Sequence, residues 1–229
     1  MKPGKKKCDL RSCVMCRTCI REWLPAIDAN RQTFTLKKGE LLFTEGHEVK
    51  GMFFITRGLV KVHKHWDDDK ELILRIAGSG EIAGHRGLGG DPFYPASATT
   101  LGETEACYVN MDFFNSTLRV NADFLHWLMM FFATELKESE RRMRNLAHMP
   151  AKGRIANMIL ALTEKFGTTD DGAMAIQLSR QDLASYTGTA YETFFRLLNE
   201  LVEEGLLGTD GKRISILDAE KLKGYAKNP

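Results

Sequence analysis

A chain of 229 residues has room for one large cored domain or two small ones. Its 43% apolar and 27% charged content is that of a globular protein, and a formal net charge of +2 singles out no class of partner. No run of 18 apolar residues occurs, which argues against a membrane partner, and the N-terminus lacks an apolar leader, so the cytoplasm is the expected compartment.

The first feature along the chain is CDLRSCVMCRTC, residues 8–19, which follows the basic tip MKPGKKK. Four cysteines fall within twelve residues, and the fifth, Cys107, is far away. In a reducing compartment, clustered thiols are more often metal ligands or redox groups than disulfides. From about Thr33 to Asp112, β-branched and aromatic runs such as MFFITRGLVKVHKHW alternate with glycines, the pattern of a small antiparallel barrel or sandwich. Residues 66–70, WDDDK, suit a polar hairpin turn.

Near Leu118 the pattern changes to LRVNADFLHWLMMFFATELKESERRMRNLAHM, which has no glycine or proline before Pro150. Phe124, Leu128, Phe132, Leu136, Met143 and Leu146 recur at helical spacing. At about 1.5 Å per residue this helix is roughly 40 Å long. A helix so long and apolar is expected to pair with a copy of itself, giving a homodimer, the alternative being packing on its own barrel.

After Pro150, GRIANMILALTEKFG is an amphipathic helix ending at Gly167, and AMAIQLS is expected as a short strand. In SRQDLASYTGTAYETFFRLLNELVEEGLL, Ser179 with Asp182 forms one capping box and Thr189 with Glu192 a second, with Gly188 in the turn between them. Two helices joined this way make a helix-turn-helix. LLGTDGKRISIL adds a hairpin with an Asp210-Gly211 turn, hence a wing. On the second helix Tyr191, Glu192, Phe195 and Arg196 form one face near the N-terminus, with Leu197, Leu198 and Leu201 opposite. Such a face suits base edges in the major groove: Arg matches guanine O6 and N7, and Glu accepts from cytosine N4. The alternative for Glu192 and Arg196 is an ion pair within the helix. Arg180, Lys212 and Arg213 are the expected phosphate contacts.

A strand-rich domain, a long helix and a winged helix-turn-helix in this order resemble the CRP/FNR family of bacterial transcription regulators. GELLFTEGHEVKGMFFITRGLVKV resembles the family's cyclic-nucleotide-binding-like roll, AKGRIANMILAL the start of its DNA-binding domain, and LASYTGTAYETFFRLLNEL its recognition element. The resemblance implies an α+β fold: a cysteine-rich tail (1–22), a β-roll or jelly-roll sensor domain (23–117), a dimerisation helix (118–149) and a winged helix-turn-helix domain (150–229). It implies a homodimer on inverted-repeat double-stranded DNA, with RNA polymerase as a further partner. Where cyclic-AMP-binding members carry a Glu after a glycine and an Arg-containing triplet, this chain has His85 and Pro95-Ala96-Ser97, so cyclic AMP is not the expected signal.

The cysteines resemble the oxygen-sensing fumarate-and-nitrate-reduction branch, whose members hold a [4Fe–4S] cluster through N-terminal cysteines and one on the roll. Cys13, Cys16 and Cys19 form a C-x2-C-x2-C run suited to such a cluster, and Cys107 matches the distant ligand. The spacing departs from that branch, which has a wider final gap, and Cys8 is an alternative ligand. Zinc, a thiol–disulfide switch, haem at His63, His65 or His85, and another small ligand remain open readings. A C-x2-C-x2-C tail also suits electron transfer, but no nucleophile or second cofactor motif points to an enzyme.

Overall fold

The computed structural model describes residues 13–67 and 70–226, and the backbone of 2–4. The chain divides into two units, 1–65 with 74–136, and 66–73 with 137–229. The strands in chain order are β1 (Lys2–Gly4), β2 (Arg31–Leu36), β3 (Leu41–Phe43), β4 (Gly51–Arg57), β5 (Val60–His65), β6 (Glu71–Ala77), β7 (Ile82–Ala83), β8 (Ser97–Thr100) and β9 (Thr104–Asn110). They form a five-stranded sheet of order β1-β2-β9-β4-β7 and a four-stranded one of order β3-β8-β5-β6, the roll expected from the alternating runs.

Strand β9 lies between β2 and β4, antiparallel to both. Alternation along it sends Cys107 and Val109 to one face with Met52 and Phe54, and Ala106 to the other with Phe53 and Ile55. On the first face pack α1 (Val14–Thr18), α3 (Met111–Val120) and the start of α4 (Ala122–His148). The two short N-terminal helices, α1 and α2 (Leu24–Asn30), carry no periodic pattern long enough to announce them. A helix of five residues is not stable alone and exists here because Val14, Met15 and Cys16 are buried.

The single helix expected from Leu118 is in fact two. Asn121 breaks it: its backbone leaves the helical region, and its Nδ2 donates to the Thr117 carbonyl at 2.9 Å. The 66–70 turn closes with Trp66 N–H donating to the Lys70 carbonyl at 2.9 Å, while residues 68 and 69 lie outside the described part.

In the second unit follow α5 (Ala151–Phe166), α6 (Arg180–Thr187), α7 (Tyr191–Glu203), β10 (Leu207–Asp210), β11 (Arg213–Ile216) and α8 (Ala219–Ala226). Ser179 caps α6, its Oγ accepting from Asp182 N–H at 3.0 Å. The second capping box does not form: Ala190 is the N-cap of α7, and Thr189 Oγ1 instead meets Thr187 Oγ1 at 2.9 Å. AMAIQLS makes only isolated bridges, Thr168 to Met174 and Ala173 to Ser215. In the hairpin Asp210 pairs with Arg213, so the two-residue loop is Gly211-Lys212 rather than Asp210-Gly211.

Candidate nucleic-acid interface and thiol centre

Helix α7 is sharply two-sided. Phe194, Leu197, Leu198 and Leu201 are buried, each contributing roughly 1.5–3 kcal/mol. Tyr191, Glu192, Phe195 and Arg196 are exposed, as is Asn199, which the sequence reading passed over. The Tyr191 and Phe195 rings stack at 6.2 Å. Arg196 pairs with Glu200 at 2.5 Å, one turn on, rather than with Glu192, which leaves the Glu192 carboxylate at the N-terminal end of the helix.

The turn ahead of α7 is held by arginines. Arg154 of α5 donates from Nε to the Thr187 carbonyl at 3.0 Å and from Nη1 to the Met149 carbonyl at 2.8 Å. Arg142 donates to the Tyr186 carbonyl at 2.9 Å and lies 4.3 Å over the Tyr186 ring. Gly188 has φ +65°, a left-handed backbone conformation that favours glycine. The three expected phosphate contacts separate. Lys212 is exposed at the hairpin tip, Arg213 is ion-paired with Asp171, and Arg180 is half-buried with Nη2 donating to the Gly211 carbonyl at 2.9 Å. Arg180 thus ties the hairpin to α6 instead of facing outward.

In the first unit, Cys13 caps the start of α1, Cys16 lies within it and Cys19 follows it. All three are buried in the same apolar cluster as Cys107 of β9, and all four are thiols. Cys8 lies outside the described residues. Burial and the nearby Cys13 push the Cys19 thiol up to about 12. The segment after Cys19 is pinned to the α3–α4 junction: Ile20 N–H donates to Asn121 Oδ1 at 2.9 Å, and Trp23 Nε1 donates to Thr117 Oγ1 at 3.1 Å.

Of the α4 residues expected on a self-pairing seam, Phe124 and Leu128 are spent in this thiol cluster, at 0% and 4% exposure. The exposed large apolar residues of α4 are instead Leu125, Met129, Met130, Leu136, Met143 and Leu146; among them Leu125, Met129, Leu136 and Met143 recur at spacings of 4, 7 and 7, and Phe132 is half-buried. Glu135 of α4 turns the other way, toward Arg75 Nε at 3.3 Å, Arg86 Nη2 at 3.0 Å and His85 Nε2 at 3.7 Å. Burial alone would raise its carboxyl; His85, Arg75 and Arg86 outweigh that and hold it at about 2. His85 is buried between the edges of Phe131 and Phe132, and burial lowers its pKa against the pull of Glu135. The cleft beside His85 and residues 94–96 has a volume of only about 10 Å³, closed by Tyr94 stacked on Phe43 at 4.1 Å. His63 and His65 sit on β5, with His63 Nε2 against Thr99 Oγ1 at 2.8 Å.

A roll, a long helix and a winged helix-turn-helix with an exposed recognition face define a DNA-binding transcription regulator. Residues 153–225 match the Crp-like helix-turn-helix domain and residues 33–121 the cyclic nucleotide-binding domain. The chain is 25% identical over 206 residues to the CRP-like cAMP-activated global transcriptional regulator of Mycobacterium tuberculosis, covering 89% of this chain and 92% of that one. It is 29% identical over 194 residues to the anaerobic regulatory protein of Bacillus subtilis, covering 83% and 80%. The structure of FixK2 from Bradyrhizobium japonicum superposes with a TM-score of 0.78 at 23% identity, covering 87% of this chain and 98% of that one. This chain belongs to the CRP/FNR family of transcription regulators. None of its described helices is long and apolar enough to cross a membrane.

Proposed function

We propose that this regulator senses oxygen, nitric oxide or redox state through a cysteine-ligated [4Fe–4S] cluster, and binds inverted-repeat DNA as a homodimer. The observation that carries this reading is the burial of Cys13, Cys16, Cys19 and Cys107 in one apolar cluster, although Cys107 lies 88 positions beyond Cys19. The donor set fits: three thiols within seven residues, in and flanking a short helix, and a fourth on a central strand match cysteine ligation of such a cluster. When bound, the cluster supplies an oxidant-labile centre. The chain's own residues supply the rest. A thiol raised by burial is a poor metal ligand until a cation compensates its thiolate, so ligation at Cys19 releases a proton. Asn121 and Thr117 hold the tail at the base of α4, so the state of the tail bears on the helix that carries the exposed Leu125–Met143 stripe. Pairing of two such stripes sets the two α7 helices about one helical turn of DNA apart, roughly 34 Å.

Cyclic AMP is not the proposed signal. The cleft is only about 10 Å³, its 95–97 segment carries no guanidinium, and the one guanidinium on its wall, Arg86, is paired with Glu135 at 3.0 Å. The name of the Bacillus subtilis relative, an anaerobic regulatory protein, agrees with an oxygen-linked signal. Selection from random DNA separates this reading from a structural-zinc alternative. Protein purified without oxygen is expected to enrich a two-fold symmetric site, and brief air exposure to abolish the enrichment. Equal enrichment before and after air, with iron absent, would leave the cysteines without a sensory role.

A further inference from the structure

Behind the Phe43–Tyr94 stack that closes the small cleft lies a second, open pocket of about 530 Å³. Its walls are the rings of Phe34, Phe43, Phe53, Tyr94 and Tyr108. The rings are held in place by one another and by the backbone. Phe53 and Tyr108 are cross-strand partners with centroids 5.0 Å apart, and Phe43 lies 5.9 Å from Phe53. Both tyrosine hydroxyls are already committed: Tyr108 donates to the Lys50 carbonyl at 2.8 Å and Tyr94 to the Gly51 carbonyl at 2.7 Å. What the tyrosines have left to offer is their ring faces. Gly51 makes this arrangement possible, since a Cβ there would lie 2.5 Å from the Tyr108 ring.

We infer that this pocket is a binding site for a flat, largely apolar aromatic molecule. A concave volume of several hundred Å³, walled by aromatic rings with few polar groups, is the ordinary form of a small-molecule site. Offset or edge-on packing against such rings contributes beyond simple burial of area. Leu41, 47% exposed, marks the mouth, and Thr44, His47, Glu48 and Lys50 add polar atoms to the lining for a solvent-facing substituent. The site lies on the reverse face of the strands that carry the thiol centre. Cys107 and Tyr108 are adjacent in β9, as Phe54 and Phe53 are in β4.

The test uses two fluorescent probes of the same aromatic body on the full-length protein: the sulfonate 1-anilinonaphthalene-8-sulfonate and the uncharged N-phenyl-1-naphthylamine. Both are expected to saturate at one site per chain. Leu41→Trp, which fills the mouth, should weaken both by about tenfold or more while the melting temperature stays unchanged. Thr44→Phe narrows the same mouth and serves if Leu41→Trp does not fold. The inference is overturned if neither probe saturates at one site, or if both ignore the mouth substitutions. Salt-sensitive binding of the sulfonate alone would overturn it too, since that reports surface charge. So would a change of sedimenting mass on Leu41→Trp, which would make the mouth an interface between copies.

Discussion

Cys107 and Tyr108 are neighbours in β9 that face opposite ways, the thiol into the cluster with Cys13, Cys16 and Cys19, the ring into the aromatic wall of the roll. The thiol therefore has a fixed strand beneath it, between β2 and β4, while Cys16 lies in a five-residue helix that Cys13 and Cys19 flank.

Cys107→Ser is accordingly expected to abolish cluster binding as fully as Cys16→Ser, despite its distance in sequence. Cys8→Ser should matter least. Absorbance, iron and sulfide measured on protein purified without oxygen give the comparison. A colourless preparation with stoichiometric zinc would sink the iron–sulfur reading.

Leu136→Glu is expected to shift the protein toward monomer in sedimentation. Leu136 is 61% exposed in the single chain, so the charge costs little there, but in a paired seam it is buried without a partner at several kcal/mol. Phe124→Glu behaves differently: that side chain is 0% exposed in the thiol cluster, and its replacement should unfold the first unit rather than merely separate protomers. Wild-type protein that sediments as a monomer under all redox conditions would contradict the proposed pairing.

Arg196→Ala should cost about 1–3 kcal/mol at its preferred site and relax the preference at one guanine. Its Glu200 pairing is exposed and within one helix, so breaking it to reach a base is cheap. Lys212→Gln should weaken binding to all sequences alike and flatten the salt dependence. Arg180→Gln should also loosen the hairpin, visible as a lower melting temperature that Lys212→Gln does not share. If Arg196→Ala and wild type select the same motif with equal strength, α7 does not read sequence through this residue.

Glu135→Gln should flatten the acid limb of stability. The Glu135 carboxyl is at about 2 in the folded chain against an ordinary 4.5, so its contribution is fully present above about pH 4.5 and is lost as pH falls toward 2. That shift corresponds to something on the order of 3 kcal/mol. His85 acts in the same direction: burial lowers its pKa, so stability is also lost as pH falls below the usual histidine range. Urea unfolding of cluster-free wild type and variant between pH 6 and 3 reads the difference; parallel curves would show that the Arg75–Glu135–Arg86 group contributes no net pH dependence.

The sequence by itself determined the parts that depend on local pattern. Alternation and glycine spacing announced the roll, and Ser179 with Asp182 and the turn at Gly188 announced the helix-turn-helix. The Tyr191–Arg196 face follows from helical period alone. Tertiary structure decided where several patterns were equally compatible with the chain. Helical spacing placed Phe124 and Leu136 on one apolar helix, but only packing shows that the first is consumed by the thiol cluster and the second left bare. Nothing local in the sequence shows that Arg142 and Arg154 donate to the Tyr186 and Thr187 carbonyls. A single asparagine has no periodic signal, yet Asn121 ends α3 and holds Ile20 across 101 residues. Contacts of that kind depend on which distant atoms the fold brings within hydrogen-bonding reach, and no local pattern encodes that distance.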